Sequence, residues 1–175
     1  MTPDEILRRI PQQPPFRFID RIVAVDDGRI EGEHTFDPDA WFYRGHFPGD
    51  PVTPGVILLE TLCQTGLVAF GLHLLSLEGP VDDRLVTLFT DAEVEFEAMV
   101  PPGESVRIAA ERIAWRRRKL VVNATLTRSD GVVAARGTVA GMGVLRSGGE
   151  RSKGRVSRAG IAGAASRVRA RGELP

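Results

Sequence analysis

The chain has 175 residues, which is enough for one domain with a single hydrophobic core. Its formal net charge is zero, which excludes a global field that would attract nucleic acid, and its one cysteine excludes an internal disulfide and suits a reducing compartment. The charge is nevertheless uneven, because residues 1–145 hold 15 Lys and Arg against 21 Asp and Glu, whereas residues 146–175 hold 8 against 2.

The first predicted element is a short helix over residues 3–10. Thr2 can cap it, Pro3 suits its first position, and acidic residues precede basic ones along the helix dipole. The same stretch contains no apolar segment of the kind found in signal peptides, so we expect a cytoplasmic protein.

Residues 16–36 predict a β-hairpin. The segments 16–25 and 30–36 are rich in β-forming residues, and the sequence Asp26-Asp27-Gly28-Arg29 between them is typical of a turn.

The middle of the chain predicts an irregular loop followed by a long helix. In residues 45–55, three prolines fix φ and remove donors, and three glycines permit unusual backbone angles. Residues 56–75 predict a helix of about five turns, which is apolar almost all round and therefore typical of a protein core. Two polar residues, Glu60 and Gln64, share one face of it. They argue against a membrane span, for which the segment is long enough.

Four further strands are predicted, over residues 84–98, 106–113, 119–127 and 132–144. In the first of these, Val94, Phe96 and Ala98 alternate with glutamates, which predicts a half-buried strand. A buried helix followed by a run of antiparallel strands indicates an α+β domain.

The last segment of the chain has a different composition. Residues 147–175 show no periodicity, contain no aromatic residue and are rich in Gly, Ser, Ala and Arg. We interpret residues 1–146 as the folded domain and residues 147–175 as a disordered basic tail, either inert or in contact with an anionic partner.

A histidine in the loop and a carboxylate in the apolar helix form the candidate reactive pair. Histidine is the side chain best suited to act as a base near neutral pH, which points to His46. Burial in an apolar wall raises the pKa of a carboxyl group, so Glu60 could keep a proton available. The unpaired N–H groups at the start of the helix suit a developing oxyanion.

The same stretch resembles a known family. Its pattern, GHFPGxPVxPGVxxxExxxQ, is similar to that of the 3-hydroxyacyl-[acyl-carrier-protein] dehydratases of the FabZ/FabA type. The matching residues are Gly45, His46, Phe47, Pro48, Gly49, Pro51, Val52, Pro54, Gly55, Val56, Glu60 and Gln64. Two weaker matches flank it, at residues 15–21 and 96–104, so the resemblance covers roughly residues 10–144. The glutamate at position 60 is similar to the FabZ branch.

The resemblance implies a fold and a set of site residues. The fold would be the hotdog fold, in which an antiparallel sheet wraps a long central helix. His46 would be the base and Glu60 the acid or water-orienting group. The backbone N–H groups of Gly55 and Val56 would bind the thioester oxygen, with Gly55 letting the substrate approach closely and Gln64 in support.

The resemblance also implies an assembly and a substrate. His46 of one protomer would face Glu60 of the other in a homodimer, with a trimer of dimers as a larger alternative. The reaction would be dehydration of a 3-hydroxyacyl thioester without a cofactor, in fatty-acid or related lipid or polyketide synthesis. Acyl carrier protein would bring the substrate, but Glu95 and Glu97 replace a segment that tends to be basic in the family, so coenzyme A stays open as the carrier.

The sequence leaves two other functions open and contains several further candidate residues. A hotdog thioesterase is the nearest enzymatic alternative, and a non-catalytic acyl-binding or assembly subunit is the alternative of another class. No zinc-site spacing is present, and we predict no metal. Cys63 is predicted to be a core residue, and His34 and His73 to be structural. The basic run 116–119 is interpreted as a solvated strand end, or alternatively as a docking surface for an acidic carrier rather than for nucleic acid.

Overall fold

A computed structural model describes residues 1–146 of the chain. Its elements are helix α1 (Pro3–Arg9), strands β1 (Arg21–Val25) and β2 (Arg29–Thr35), a short 3₁₀ helix (Trp41–Arg44), the central helix α2 (Gly55–Glu78), and strands β3 (Leu85–Phe96), β4 (Ser105–Arg116), β5 (Lys119–Arg128) and β6 (Val133–Leu145). The predicted basic tail, 147–175, lies outside the described residues.

Helix α1 forms where the sequence predicts it. Thr2 and Glu5 make a reciprocal capping box, in which each side chain accepts a hydrogen bond from the backbone N–H of the other residue. The helix buries Ile6 in the core, and the chain becomes extended at Ile10.

The six strands form one antiparallel sheet in the order β1-β2-β4-β5-β6-β3. Strand β3 pairs with β6 on one side and is an edge strand among residues 1–146. The predicted α+β class, one long helix against an antiparallel sheet, is confirmed.

Strand β1 is shorter than the sequence predicts. The prediction placed a strand over residues 16–25, but only Arg21–Val25 is regular. The backbone before it is bound by a side chain of the central helix instead of by a neighbouring strand, because Gln64 donates to the Phe16 carbonyl (2.9 Å) and accepts from the Phe18 N–H (2.7 Å).

Strands β4 and β5 are longer than predicted and form a tight hairpin. The two residues between them, Arg117 and Arg118, both lie in the left-handed region, with φ of 51° and 63°. This backbone matches the twist of a two-residue hairpin but is unusual for arginine, so the sequence carried no signal of the turn. The basic run 116–119 is exposed at this tip, as expected for a solvated strand end.

The central helix α2 extends from Gly55 to Glu78 and packs its middle against the sheet. Its middle section, Gln64–Ala69, is π-helical, and α-helical turns precede and follow it. At Gly66 the two layers are close: a Cβ there would lie 3.1 Å from the Cβ of Ala110 and 3.2 Å from a methyl group of Val122. The helix is apolar enough to cross a bilayer, but 78% of its apolar window is buried inside the protein, which identifies it as a core helix.

Strand β3 differs from its predicted half-buried pattern. Phe96 is 52% exposed, and Leu88 and Phe89 are about equally exposed. The alternation correctly predicted a strand, but the predicted burial of Phe96 was wrong. Strand β3 lies at the edge of the sheet and has a neighbouring strand on one side only.

Candidate active site

The loop before α2 is shaped by positive φ angles and by its proline residues. Phe47 has a φ of 58°, a conformation that few non-glycine residues adopt, and Gly49 has a φ of 96°. The 3₁₀ helix Trp41–Arg44 leads into the loop, and the His46 N–H donates to the carbonyl of Phe42 (3.1 Å). The loop is therefore held from its first turn.

His46 is oriented by a backbone carbonyl of its own loop. Its Nδ1 lies 2.9 Å from the carbonyl oxygen of Val52. Since a carbonyl oxygen can only accept, Nδ1 must carry the hydrogen, and in the neutral ring Nε2 is then the basic nitrogen. This contact prepares the side chain to take up a proton at Nε2.

Glu60 lies half-buried on the second turn of α2. Burial raises the pKa of its carboxyl group, and a hydrogen bond from the Gln64 amide to Oε1 (2.8 Å) offsets part of that effect. A carboxyl group with a raised pKa is suited to hold and donate a proton.

Gln64 is fully buried and its polar groups are engaged. Its amide nitrogen donates to Glu60 and to the Phe16 carbonyl, and its oxygen accepts from the Phe18 N–H. It ties the segment before β1 to the central helix and fixes the orientation of one carboxylate oxygen.

The first turn of α2 presents its N–H groups beside this loop. Both Ile57 and Leu58 donate to the Pro54 carbonyl, at 2.8 and 3.1 Å, so the N–H groups of Gly55 and Val56 precede the first bonds of the helix. The ring of Phe96 lies 3.4 Å from where a Cβ of residue 55 would be. In a single protomer, therefore, the space beside Gly55 is taken by an aromatic side chain.

A cavity of about 280 Å³ joins the histidine to the helix start. Its lining includes His46, Val52, Thr53, Gly55, Leu58, Phe96 and Met99. Glu60 does not line it. A larger open groove of about 400 Å³ lies beside β3, β5 and β6, but its lining of Glu93, Glu95, Arg136 and small residues includes no histidine. The smaller cavity is therefore the candidate site.

The remaining candidate residues lie where structural roles place them. Cys63 is buried, and burial together with the nearby Glu60 charge raises the pKa of its thiol, which disfavours the nucleophilic thiolate. His34 is buried and lies 3.1 Å from Asp20. His73 is also buried, and desolvation lowers its pKa, which favours the neutral ring.

Tyr43 and Thr53 belong to the site but match no sequence motif, so the sequence alone did not point to them. The hydroxyl groups of Tyr43 and Thr53 lie 2.6 Å apart beneath the loop, and both side chains are buried.

Within residues 1–146, no group of three or more His, Cys, Asp or Glu side chains is placed to hold a metal ion.

Relatives among known proteins cover most of the chain. The chain is 38% identical over 143 residues to the 3-hydroxyacyl-[acyl-carrier-protein] dehydratase FabZ of Acetivibrio thermocellus, with 79% of this chain and 92% of the relative covered. It is 34% identical over 141 residues to the FabZ of Herpetosiphon aurantiacus, covering 78% of this chain and 94% of the relative.

Solved structures show the same fold at low sequence identity. A dehydratase heterocomplex from Xenorhabdus doucetiae, ApeI:P, matches with a TM-score of 0.67 and 13% identity, over 83% of this chain and 93% of that one. A hypothetical thioesterase from Streptococcus pneumoniae, solved with coenzyme A, matches with a TM-score of 0.51 and 16% identity, over 71% and 85%. These matches confirm the expected hotdog fold.

The fold and the relatives together define a hotdog-fold protein of one known family. The family model described as a FabA-like domain matches residues 10–138, and the chain belongs to that family. The family resemblance drawn from the loop and helix residues is thereby confirmed.

Proposed function

We propose that the protein is a hydro-lyase that converts a 3-hydroxyacyl thioester to the trans-2-enoyl thioester, without a cofactor, in fatty-acid or related lipid or polyketide synthesis. The single observation that carries this proposal is the His46–Val52 contact, which leaves Nε2 as the basic nitrogen of a histidine that lines the same cavity as the start of α2. The curated relatives named FabZ support the reaction class.

In this reaction the two side chains act on neighbouring carbons of the substrate. Nε2 of His46 removes a proton from the α-carbon, and charge develops on the thioester oxygen, where the N–H groups of Gly55 and Val56 would bind it. The bond between the β-carbon and its hydroxyl oxygen then breaks. Glu60, whose pKa is raised by burial, supplies the proton with which the hydroxyl leaves as water. Proton return from His46 to Glu60 restores the starting state.

The active unit is proposed to be a homodimer in which His46 of one protomer meets Glu60 of its partner. Two observations support this. The cavity that His46 lines is not lined by Glu60 within one protomer. Strand β3 has an edge without a neighbour among the described residues and exposes Leu88, Phe89 and Phe96, and an uncovered strand edge is a natural site of strand pairing. A trimer of dimers would be built from the same unit.

The carrier of the acyl group is proposed to be acyl carrier protein, which the printed names of the curated relatives give for those proteins. Coenzyme A is the alternative carrier. Glu97 lines the His46 cavity, and Glu93 and Glu95 line the open groove beside β3. Within residues 1–146, Arg136 pairs with Glu97 (2.6 Å), and neither Glu93 nor Glu95 has a cation within 4 Å. This surface opposes an acidic partner. We place the enzyme in the cytoplasm, where such carriers are used.

The test is to incubate the purified protein with 3-hydroxyacyl thioesters of several chain lengths, on acyl carrier protein and on coenzyme A. Mass spectrometry should show the loss of one water from the acyl group. Release of a free acid would instead identify a thioesterase, and binding without turnover would identify an acyl-binding subunit.

Matched variants assign the two roles. His46→Ala and Glu60→Gln should each lower kcat by about 10²–10⁴-fold, the usual range for acid–base groups, with unfolding temperatures close to that of the wild type. Unchanged turnover in either folded variant would remove that residue from the mechanism.

A further inference from the structure

A buried pair of hydroxyl groups joins the two ends of the histidine loop. Tyr43 is in the 3₁₀ helix before the loop and Thr53 is near its end, and they are only 5% and 4% exposed. The Tyr43 Oη and the Thr53 Oγ1 lie 2.6 Å apart. The nine residues between them, which include His46, are thus closed at their base by this side-chain hydrogen bond.

Thr53 is also fixed through its backbone, and both of its neighbours serve the site. Its N–H donates to the Val100 carbonyl (2.8 Å). The residue before it, Val52, supplies the carbonyl that binds Nδ1 of His46. The residue after it, Pro54, supplies the carbonyl that accepts the first two hydrogen bonds of α2.

We propose that Tyr43 and Thr53 are positioning residues that hold the Val52 carbonyl against His46 and thereby select the tautomer in which Nε2 is the base. This inference rests on the proposed function, in which His46 takes the proton. The pair touches neither nitrogen of the imidazole. It acts through Val52, whose peptide plane is fixed when the next residue is held by both its side chain and its N–H.

The chemistry of the pair suits this role. Burial raises the pKa of Tyr43, so its phenol stays protonated at neutral pH and remains able to donate. If this hydrogen bond is lost, the Val52–Thr53 peptide group is held only by the Thr53 N–H, so the Val52 carbonyl can shift away from Nδ1–H. The ring can then place its hydrogen on Nε2, where it blocks uptake of a second proton at that nitrogen.

A set of variants separates positioning from stability. Tyr43→Phe or Thr53→Val alone leaves one buried hydroxyl without a partner, whereas the double variant removes both, an exchange that costs the fold little. If the pair only stabilised the fold, both the unfolding temperature and the kcat of the double variant would be close to those of the wild type. Positioning predicts that it regains its unfolding temperature but not its kcat.

The expected kinetic effect is a fall in kcat of about 5–50-fold in all three variants, with KM changed less than about twofold, because a small misplacement of a catalytic group is costly to the chemical step. A matched control is the hydroxyl pair Thr35 and Ser105, which lies 2.8 Å apart on the sheet. Thr35→Val should leave kcat unchanged.

A spectroscopic readout tests the proposal without turnover. The chain has three histidines, so ¹⁵N spectra of the imidazole nitrogens can be assigned with His34 and His73 as internal references. In the neutral ring of the wild type, His46 should show a protonated Nδ1 and an unprotonated Nε2. In the Tyr43 and Thr53 variants the Nδ1–H population should fall, while the two reference histidines keep their shifts.

Unchanged His46 nitrogen shifts in the folded variants would overturn the inference, whatever happens to kcat. So would recovery of kcat in the double variant. If the wild type turned over no hydroxyacyl thioester, the proposed function would fail, and the nitrogen shifts would still decide whether the pair orients His46.

Discussion

At the level of single residues, His46 and Glu60 are prepared for opposite tasks by different neighbours. A backbone carbonyl fixes the hydrogen of His46 on Nδ1, so its other nitrogen can accept a proton. An apolar surround raises the pKa of Glu60, so that carboxyl can give one. The motif predicts both residues as the reactive pair, but the carbonyl contact and the Tyr43–Thr53 pair depend on loop geometry that residue spacing does not reveal.

The raised pKa of Glu60 has a consequence for stability that can be measured. The ordinary value for this group is 4.5, and in the folded protein the pKa is higher, so the folded state keeps the proton over a pH range in which the unfolded chain has lost it. The Glu60 carboxyl group therefore makes its full contribution to the free energy of unfolding below pH 4.5. This contribution is lost as the pH rises through the raised pKa. Glu60→Gln removes this titration.

We expect the free energy of unfolding of the wild type, relative to Glu60→Gln, to decrease as the pH rises above 4.5. Denaturant unfolding of both proteins across this range measures the difference. Glu104→Gln provides a control of opposite sign below pH 4.5, since hydrogen bonds from the side chain and backbone of Ser129 lower the pKa of Glu104, and its stabilising contribution is therefore lost as the pH falls. A flat difference for Glu60 would show that its carboxyl group titrates normally.

At the level of elements, the approach of the central helix to the sheet depends on Gly66. Gly66→Ala would place a methyl group about 3 Å from Ala110 and Val122 and overpack the layers. We expect a loss of about 1–3 kcal/mol in the free energy of unfolding, the usual cost of an inserted methyl group in a packed core.

Gly71 offers a matched control on the same helix. A Cβ at position 71 would have no neighbouring heavy atom within 4 Å. Gly71→Ala should therefore raise the free energy of unfolding by about 0.4–1 kcal/mol, because alanine restricts the unfolded chain and favours helix. Equal losses in both variants would show that the glycine itself, and not the contact with the sheet, matters at position 66.

The elements also show how far periodicity carries. The central helix and the strands after it were predicted because their apolar patterns reflect burial, which is local in sequence. The predicted strand β1 was too long because Gln64, 46 residues away along the chain, binds the backbone of Phe18. The exposure of Phe96 follows from the position of β3 at the edge of the sheet. Both depend on contacts that a pattern along one segment does not contain.

At the scale of the whole molecule, residues 1–146 are proposed to be the complete catalytic domain. The family match ends at residue 138, within β6, and the predicted tail begins beyond this strand. Deletion of residues 147–175 should leave the unfolding temperature and kcat within about twofold of the full chain, since no family motif extends into it. Loss of either property would assign the tail a role in folding or in catalysis.

A site shared between two protomers makes a quantitative prediction. His46→Ala and Glu60→Ala are each expected to inactivate every site of their own homodimers. A heterodimer of the two would contain one site in which both residues are intact and one in which both are missing. If protomers pair at random, half of the dimers are mixed and each has one working site, so an equal mixture should regain roughly a quarter of wild-type activity. Co-expression with two different tags isolates the mixed dimers, which should then reach about half of the wild-type rate per dimer. Mixed dimers that stay inactive would mean that His46 and Glu60 work within one protomer. The helix and loop would then have to bring Glu60 into the His46 cavity without help from the exposed β3 edge.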